Sequence, residues 1–446
     1  MDRSEPVHAL FQQRVDGDDA LLRLAGLRFA QMGVAAEVYA STPDDLEYVL
    51  QFVPAHARLP MVHLNRNVNV LHGRDRTVVG EFADRFAGRV AGLVVHDKRE
   101  MGAHTDRLLA GLRDLNARLR ERPDGPLVFL EYAAGLDRGW FVEVAERLQD
   151  AERISCCIDV GHVGLRQVTA TFGDSHPGLD LKKLGPADYR LPGLADDIRD
   201  AVRSALPHVL EVTRSIGRLG KHVHFHLHDG HPLVPGLRDH FSFLTRLPIP
   251  FSYQGRRSLD MMYGPGGLAS VVSAAIDACP PQGVSFTLEI HQVEGRLPLA
   301  DAGWLFPHWR DTTNAERMNY WLSVLAENAM LVADGIAPAR TRNARPLQSQ
   351  AGADLTGRRR GAQAAVLVGV QTAGQRRELA GAGERVGAVG EQGGRAGHTE
   401  PPGLRLAGHD APGDPQAARQ QAVQPGGQQV GAGAPRYLQD LQCHGW

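Results

Sequence analysis

The stretch Leu127-Val-Phe-Leu-Glu131 places a carboxylate directly after four apolar residues. Three more segments have the same form and end in a metal-type ligand: Cys156-Cys-Ile-Asp159, Val223-His-Phe-His226 and Val284-Ser-Phe-Thr-Leu-Glu289. Short apolar runs of this kind are typical of buried parallel strands. Because the carboxyl ends of all strands in a parallel barrel lie on one face, the four terminal side chains are predicted to meet there. Three carboxylates and an imidazole suit a divalent cation such as Mn²⁺, Mg²⁺, Co²⁺ or Zn²⁺.

The spacing of earlier strand candidates supports an α/β fold of the TIM (β/α)8 type. The residues at or near the candidate strand ends, in chain order, are Glu37, His63, His96, Glu131 and Asp159. They lie roughly 26 to 35 residues apart, and a strand–helix unit of such a barrel averages about 31 residues. The two later intervals, from Asp159 to His226 and from His226 to Glu289, are about twice as long. We therefore expect long loops after the sixth and seventh strands.

Both ends of the predicted barrel are less regular than its middle. The first strand is obscure, with Val7–Val15 as its candidate, and Asn314–Leu331 is predicted to be the closing helix. A doubly wound open sheet is the alternative architecture. It usually needs a Gly-rich phosphate loop after an early strand, whereas Gly264-Pro-Gly-Gly267 lies late in the chain.

The composition of the chain changes near residue 340. Beyond it, Gly, Ala, Arg and Gln dominate, as in Gln424-Pro-Gly-Gly-Gln-Gln-Val-Gly. Few large apolar side chains are available there to offset the entropy of ordering the backbone. We predict a barrel domain over 1–337 and a low-complexity, disordered tail over 338–446. A frame-shifted reading of a GC-rich gene is another explanation for such a tail.

Overall composition narrows the functional classes. The chain has 446 residues, a formal net charge of -2 and a pI near 6.9, which gives no general attraction to nucleic acid or anionic lipid. No leader-type segment or membrane-length apolar run stands out. Cys156 and Cys157 are neighbours on one strand and point to opposite faces. With two further cysteines, a disulfide framework is not expected, and a cytoplasmic location is predicted.

The ordered motifs resemble the xylose-isomerase-like barrel superfamily, over about residues 30–335. The resemblance rests on the Glu131 strand end, Asp159-Val-Gly-His162, His226-Leu-His-Asp229 and the Glu289 strand end. It implies that Glu131, Asp159, His226 and Glu289 are the metal ligands. It also implies catalytic roles for both glutamates, as acid and base, and for His162 beside the metal.

The first functional hypothesis is a metal-dependent isomerase or epimerase acting on a small sugar or sugar phosphate. A divalent ion that chelates a carbonyl and its neighbouring hydroxyl acidifies the intervening C–H bond. A nearby carboxylate then removes the proton, and the metal stabilises the resulting enediolate. A homo-oligomer is compatible with this hypothesis, and nucleic acid is an unexpected partner.

The second hypothesis is a zinc-dependent hydrolase of the apurinic-endonuclease type, a branch of the same superfamily. His63, His96 and His162 match positions that supply zinc ligands there. Against it, the loop around Arg256–Gly267 lacks the downstream Asp-x-His pair of that branch, and a basic surface for DNA is not evident. A third hypothesis, a non-catalytic ligand-binding barrel, predicts decay of the ligand set, which is intact.

Several polar residues near the predicted site are candidates for substrate binding. They are His63, His96, His231 and Arg257. For each of them, a structural or solvated role is the alternative. Asp229 is a further candidate, which we expect to orient a ligand histidine.

Overall fold

Eight parallel strands alternate with helices and close into a barrel. The fold comes from a computed structural model that describes residues 7–10, 18–55, 57–133, 135–185, 188–234, 240–281, 283–289 and 314–344. The barrel strands are β1 (Val7–Leu10), β2 (Ala35–Ala40), β3 (Met61–Leu64), β4 (Gly92–His96), β5 (Leu127–Tyr132), β6 (Ile154–Asp159), β7 (Val223–Leu227) and β10 (Val284–Glu289). Around the barrel, the order is β1-β10-β7-β6-β5-β4-β3-β2, and β2 pairs with β1 to close it. The predicted TIM-barrel class is confirmed, and the obscure first strand is found at Val7–Leu10.

The helices follow the strands as the sequence periodicity predicts. They are α1 (Asp19–Gln31), α2 (Pro43–Leu50), α3 (Gly73–Arg85), α4 (Thr105–Arg120), α5 (Arg138–Arg147), α6 (Val160–Ser175), α7 (Leu191–Arg203), α8 (Ala205–Gly217), α9 (Gly264–Ala278) and α10 (Asn314–Ala344). Short 3-10 turns cover Arg99–His104 and Leu181–Lys183. The closing helix α10 begins where predicted but runs past the predicted end at Leu331 and past residue 337, the predicted end of the domain.

The long intervals after the sixth and seventh strands contain additional secondary structure. After β6, the extra residues form α7 and α8 in addition to α6. After β7, an antiparallel hairpin of β8 (Arg246–Tyr253) and β9 (Arg256–Asp260) precedes α9. The prediction of a long loop was wrong after β6, where α6 begins at Val160 and amphipathic helices use the extra residues. After β7 it is confirmed in part, because the described residues 228–234 and 240–245 lie outside regular elements before the hairpin.

Apolar side chains lie on both surfaces of the sheet. The large core cluster lies between the strands and the helices. A small separate cluster consists of Met61, Val94, Phe129 and Cys157. Gly92 is required beside it, because a Cβ atom there would lie 2.5 Å from the Phe129 ring and 2.7 Å from Met61 Cε. Such alternation between the two faces directs polar residues of the same strands into the barrel.

Some sequence predictions fall outside this description. The proposed disordered tail beyond residue 344 lies outside the described residues, as does Cys443. Cys156, Cys157 and Cys279 are buried free thiols. None of the described helices has the length and apolar content needed to cross a membrane.

Candidate metal centre

The carboxyl ends of β3, β4 and β5 bring two histidines to one glutamate. His96 and Glu131 are directly paired in the register of β4 and β5. Glu131 Oε2 lies 3.3 Å from His63 Nε2 and 3.4 Å from His96 Nε2. We call His63, His96 and Glu131 the histidine–glutamate cluster.

Two buried polar atoms of this cluster have no hydrogen-bond partner among the described residues. His63 Nδ1 lies 3.1 Å from the Leu64 carbonyl oxygen, and a carbonyl can only accept, so Nδ1 carries the proton. In the neutral ring, the Nε2 lone pair then faces the Glu131 carboxylate. Among the described residues, Glu131 Oε2 and His96 Nδ1 are buried and make no hydrogen bond. Buried polar atoms of native proteins are usually paired, so a cation between these atoms would remove the conflict.

His226, on β7, lies between the carboxylates of Glu131 and Glu289. Its Nδ1 is 3.0 Å from Glu131 Oε1 and 3.3 Å from Glu289 Oε2. Burial lowers the pKa of His226, but Cys157 and the surrounding carboxylates raise this pKa well above its ordinary value. A positive charge at this point is therefore stabilised, whether a proton or a metal ion carries it.

Asp159 serves both as a helix cap and as a member of the site. It is the N-cap of α6, and its Oδ1 accepts a hydrogen bond from the His162 backbone N–H at 2.8 Å. Its Oδ2 is buried and, within the described chain, has no hydrogen-bond partner. The Asp159-Val-Gly-His162 motif needs its glycine, because a Cβ atom on Gly161 would lie 1.9 Å from the His228 ring.

A second group of ligand-type residues surrounds Asp159. His228 Nε2 lies 2.7 Å from Asp159 Oδ1, and His162 Nε2 lies 3.8 Å from Asp159 Oδ2. His240 completes the group, with its ring stacked on His228 at 4.2 Å between centroids. One ligand atom from each of the four lies within 4.8 Å of the others. We call Asp159, His162, His228 and His240 the aspartate–histidine cluster.

The backbone at His240 is held in an unfavourable conformation. Its φ is 55°, in the left-handed region that non-glycine residues rarely adopt. The His240 backbone N–H donates to His228 Nδ1 at 2.7 Å. Backbone strain of this kind collects at functional sites, which supports a functional role for the imidazole of His240.

The two clusters are adjacent, and one residue of each lies close to His226. Glu131, Asp159 and His226 offer ligand atoms within 4.8 Å of one another. Glu289 adjoins both clusters, because its Oε2 contacts His226 and its Oε1 lies 3.4 Å from His240 Nε2. All four predicted ligands, Glu131, Asp159, His226 and Glu289, are thus brought together on one face of the barrel.

The protonation states of the site follow from burial and from its own charges. Burial raises the pKa of the Asp159 carboxyl to about 6. Burial opposes charge on Glu131, but the imidazoles of His96 and His226 lower the pKa of its carboxyl well below the usual value. Burial also lowers the pKa of His96 to about 3 and that of His162 to about 4. Anionic Glu131 and neutral imidazoles are the protonation states that bind metals.

The other predicted site residues occupy varied positions. His63, His96 and His162 lie in the two clusters. His231 is buried, and its Nδ1 accepts a hydrogen bond from the Leu233 backbone N–H at 3.2 Å. Arg257 lies exposed on β9 of the hairpin. Substrate-binding roles for these residues stay predictions.

Asp229 does not orient a histidine, contrary to the expectation from sequence. Its carboxylate accepts hydrogen bonds from backbone N–H groups instead. The donors are Gly230 at 2.8 Å, Gly264 at 2.7 Å and Tyr263 at 3.3 Å. The aspartate therefore joins the end of β7 to the start of α9.

Sequence reasoning did not assign four contributors to the site. Glu37 and Tyr39 of β2 point into the barrel, where Tyr39 donates a hydrogen bond to Glu289 Oε1 at 3.1 Å. Their alternation in an otherwise apolar strand was the available signal. His228 shares the alternation of His226, but it was not assigned as a ligand. His240 lies outside any regular element, so no periodic pattern could have found it.

The donor set and its unmet hydrogen bonds fit divalent metal ions. Imidazole and carboxylate groups together suit Zn²⁺, Mn²⁺, Co²⁺ or iron. In the two clusters, only His96 and His162 have appreciable side-chain exposure, at 22% and 21%. The site therefore has an accessible side from which a small molecule could reach these side chains.

Comparisons with known proteins add little to this description. No protein-family model matches the chain, and no curated protein matches it. Among solved structures, the carboxyl transferase domain of Rhizobium etli pyruvate carboxylase is 11% identical, over 75% of this chain and 48% of that chain, with a TM-score of 0.34. The same domain with oxamate and biotin is 11% identical, over 74% and 48%, with a TM-score of 0.35. The chain spans about half the length of these structures, and similarity at this level carries no functional inference.

Proposed function

We propose that the protein is a metal-dependent enzyme with at least two divalent ions, and that it hydrolyses an ester or phosphoester bond in a small molecule. One observation carries the proposal. Ligand atoms form two adjacent clusters, and buried carboxylate oxygens in both, Glu131 Oε2 and Asp159 Oδ2, make no hydrogen bond among the described residues. This arrangement favours the second of the hypotheses drawn from the sequence.

Two clusters with separate ligands favour more than one ion. The histidine–glutamate cluster and the aspartate–histidine cluster have no member in common. Each offers at least three nitrogen or oxygen donors, as metal sites with an open position do. His228 and His240 add two imidazole donors to Asp159 and His162 in the second cluster.

The chain supplies the remaining parts of a hydrolytic site. Paired ions in such sites acidify water and stabilise the charge that develops on the attacked group. His63 and His226 hold their rings in fixed orientations through Leu64 and Glu37. Tyr39 donates a hydrogen bond to Glu289 Oε1 and so fixes a carboxylate that can accept a proton. A net charge of -2 favours a small substrate over nucleic acid.

Isomerase or epimerase chemistry is the second candidate. It is favoured by Glu131 and Glu289, which approach the same His226 nitrogen from different strands, at 3.0 and 3.3 Å. Two carboxylates beside one metal are the groups needed to remove and return a proton at carbon. The resemblance to xylose-isomerase-like barrels is compatible with either candidate.

Metal counting tests the proposal directly. The full chain, stripped and then reloaded with Zn²⁺ or Mn²⁺, should bind at least two ions by elemental analysis. His63→Ala and His240→Ala should each lose about one ion, because each removes a ligand from a different cluster. His176→Ala is the matched control: its imidazole pairs with Asp197 at 2.9 Å, outside both clusters, and the ion count should not change.

Activity assays separate the two candidates. Loaded protein should hydrolyse nitrophenyl esters or phosphoesters, and chelation should stop the reaction. Exchange of a sugar C–H with D₂O without hydrolysis would favour the isomerase instead. A wild-type chain that binds no divalent ion would refute both.

A further inference from the structure

Glu37 is a carboxylate buried inside the barrel, below the metal centre. It lies in β2, and its side chain has no solvent exposure. Burying a carboxylate is costly unless charged or hydrogen-bonded partners compensate. Three side-chain donors, from His226, His224 and Thr287, supply that compensation for the ionised carboxylate.

Both oxygens of Glu37 are occupied by side-chain donors. Oε1 lies 3.0 Å from His226 Nε2. Oε2 lies 3.2 Å from His224 Nε2 and accepts a hydrogen bond from the Thr287 hydroxyl. A carboxylate can only accept, so both imidazoles donate their Nε2 protons to it.

The bond to Glu37 decides which nitrogen of His226 is available. Nδ1 lies at hydrogen-bond distance from Glu131 Oε1, at 3.0 Å, and 3.3 Å from Glu289 Oε2. Without a metal, Nδ1 therefore donates a proton toward these carboxylates. A cation held by them would displace that proton, whereas Glu37 would keep the proton on Nε2. A histidine that binds a metal commonly donates its other ring N–H to a carboxylate, which fixes the ring and increases its basicity.

Glu37 could instead be a metal ligand itself, since its carboxylate also lies near His63 and His226. Its hydrogen bonds argue against this. Each of its oxygens already accepts from at least one donor, whereas Glu131 Oε2 makes no hydrogen bond among the described residues. An oxygen that accepts no hydrogen bond is the better ligand.

We propose that Glu37 is a positioning residue that fixes the His226 tautomer, so that His226 binds the metal through Nδ1. The inference rests on the proposed function, because it assumes that His226 is a ligand. It does not depend on whether the reaction is hydrolysis or isomerisation.

Glu37→Gln tests the inference with little change in volume. The Gln oxygen should occupy the position that faces His224 and Thr287, since two donors meet there. The amide NH₂ would then donate to His226 Nε2 and leave the proton on Nδ1, which blocks the ligand nitrogen. We expect metal affinity to fall about 10–100-fold, with circular dichroism unchanged.

Ser285→Ala is the matched control within the same barrel. Ser285 Oγ bonds to His222 at 2.8 Å and to His224 at 2.7 Å, but not to His226. Its loss should change metal affinity less than about threefold, because the Glu37–His226 bond stays intact. An equal loss of affinity in both variants would mean that Glu37 acts only through general barrel stability, and would overturn the inference.

A measurement on wild-type protein keeps the test decisive if Glu37→Gln does not fold. Nitrogen-15 NMR of the histidine rings, with His226 assigned through His226→Gln, should show Nε2 protonated and Nδ1 coordinated after Zn²⁺ loading. Coordination through Nε2 would refute the inference while leaving the proposed function intact. Absence of any bound ion would instead refute the proposed function, and with it the positioning role of Glu37.

Discussion

The metal centre and the polar network beneath it contain the same residue types but differ in how they are paired. In the network, Glu37, His224, Ser285 and Thr287 are joined by hydrogen bonds. In the centre, buried oxygens of Glu131 and Asp159 face other ligand atoms without bonding to them. Buried polar groups that are fully paired stabilise a structure, whereas converging groups that are not paired are the observation on which the proposed metal site rests. The comparison separates a structural role of histidine and glutamate from the metal-binding role that we propose.

Glu131→Gln should produce the largest effect, because Glu131 contacts His63, His96 and His226. A neutral amide keeps the volume but loses the charge that holds the cations. We expect metal affinity to fall more than about 100-fold, beyond the range typical of groups that only orient a ligand, and activity to disappear. Elemental analysis and titration with Co²⁺ measure this.

Glu143→Gln provides the control, since Glu143 is half exposed and pairs with Arg147 on a helix surface. Its ion content should equal that of wild type. Retention of both ions in Glu131→Gln would break the comparison, because the unpaired oxygen would then have no role in binding.

Thr287→Val should lower the stability of the polar network without changing the metal content of the centre. It removes a hydroxyl that donates to Glu37 Oε2 while keeping the side-chain shape. Loss of one bond to a buried anion should lower the free energy of unfolding by about 1–3 kcal/mol. Denaturant unfolding measures the loss, and the ion count should stay at the wild-type value. A Thr287→Val protein that loses its ions at unchanged stability would show that the two regions are not separable.

His231→Gln should produce the smallest effect, visible only in acid. Burial lowers the pKa of His231 from 6.5 to about 3, so the folded state binds fewer protons than the unfolded state between these values. Its contribution to stability is complete above pH 6.5 and is lost as the pH falls toward 3. Between neutral pH and pH 5.5, titration of this histidine should lower the free energy of unfolding by about 1 kcal/mol.

Glutamine at this position can still accept the Leu233 N–H bond without titrating. The metal-free variant should therefore lose less stability between pH 6.5 and 5.5 than metal-free wild type does, in unfolding curves measured at both pH values. Identical pH dependence in the two proteins would contradict an acceptor role for His231.

The barrel could be predicted from sequence because its strands repeat a simple pattern. A run of apolar residues that ends in a polar residue, as in Leu127–Glu131, indicates a buried strand. The polar residue also indicates which end of the strand lies at the site. The predicted closing helix begins at Asn314, as its sequence indicated. The insertions were misjudged in part, since length alone does not distinguish a loop from a hairpin such as β8–β9.

The centre was predictable only where ligands lie on regular strands. Glu131, Asp159, His226 and Glu289 follow from strand ends, and parallel register brings them together. His240 depends on a left-handed backbone conformation in an irregular segment, which no periodicity encodes. The role that we propose for Glu37 depends on its contact with His226, which lies on a distant strand in the sequence. Such a contact is known only from the tertiary structure.

The carboxylate of Asp229 joins the two ends of the insertion after β7 by hydrogen bonds. Asp229 binds the backbone of Tyr263 and Gly264, and the Tyr263 hydroxyl donates to the Val160 carbonyl oxygen. Hairpin β8–β9 lies within the segment that these hydrogen bonds close. Changes in the length or sequence of the hairpin should therefore leave the ends of the barrel strands in place.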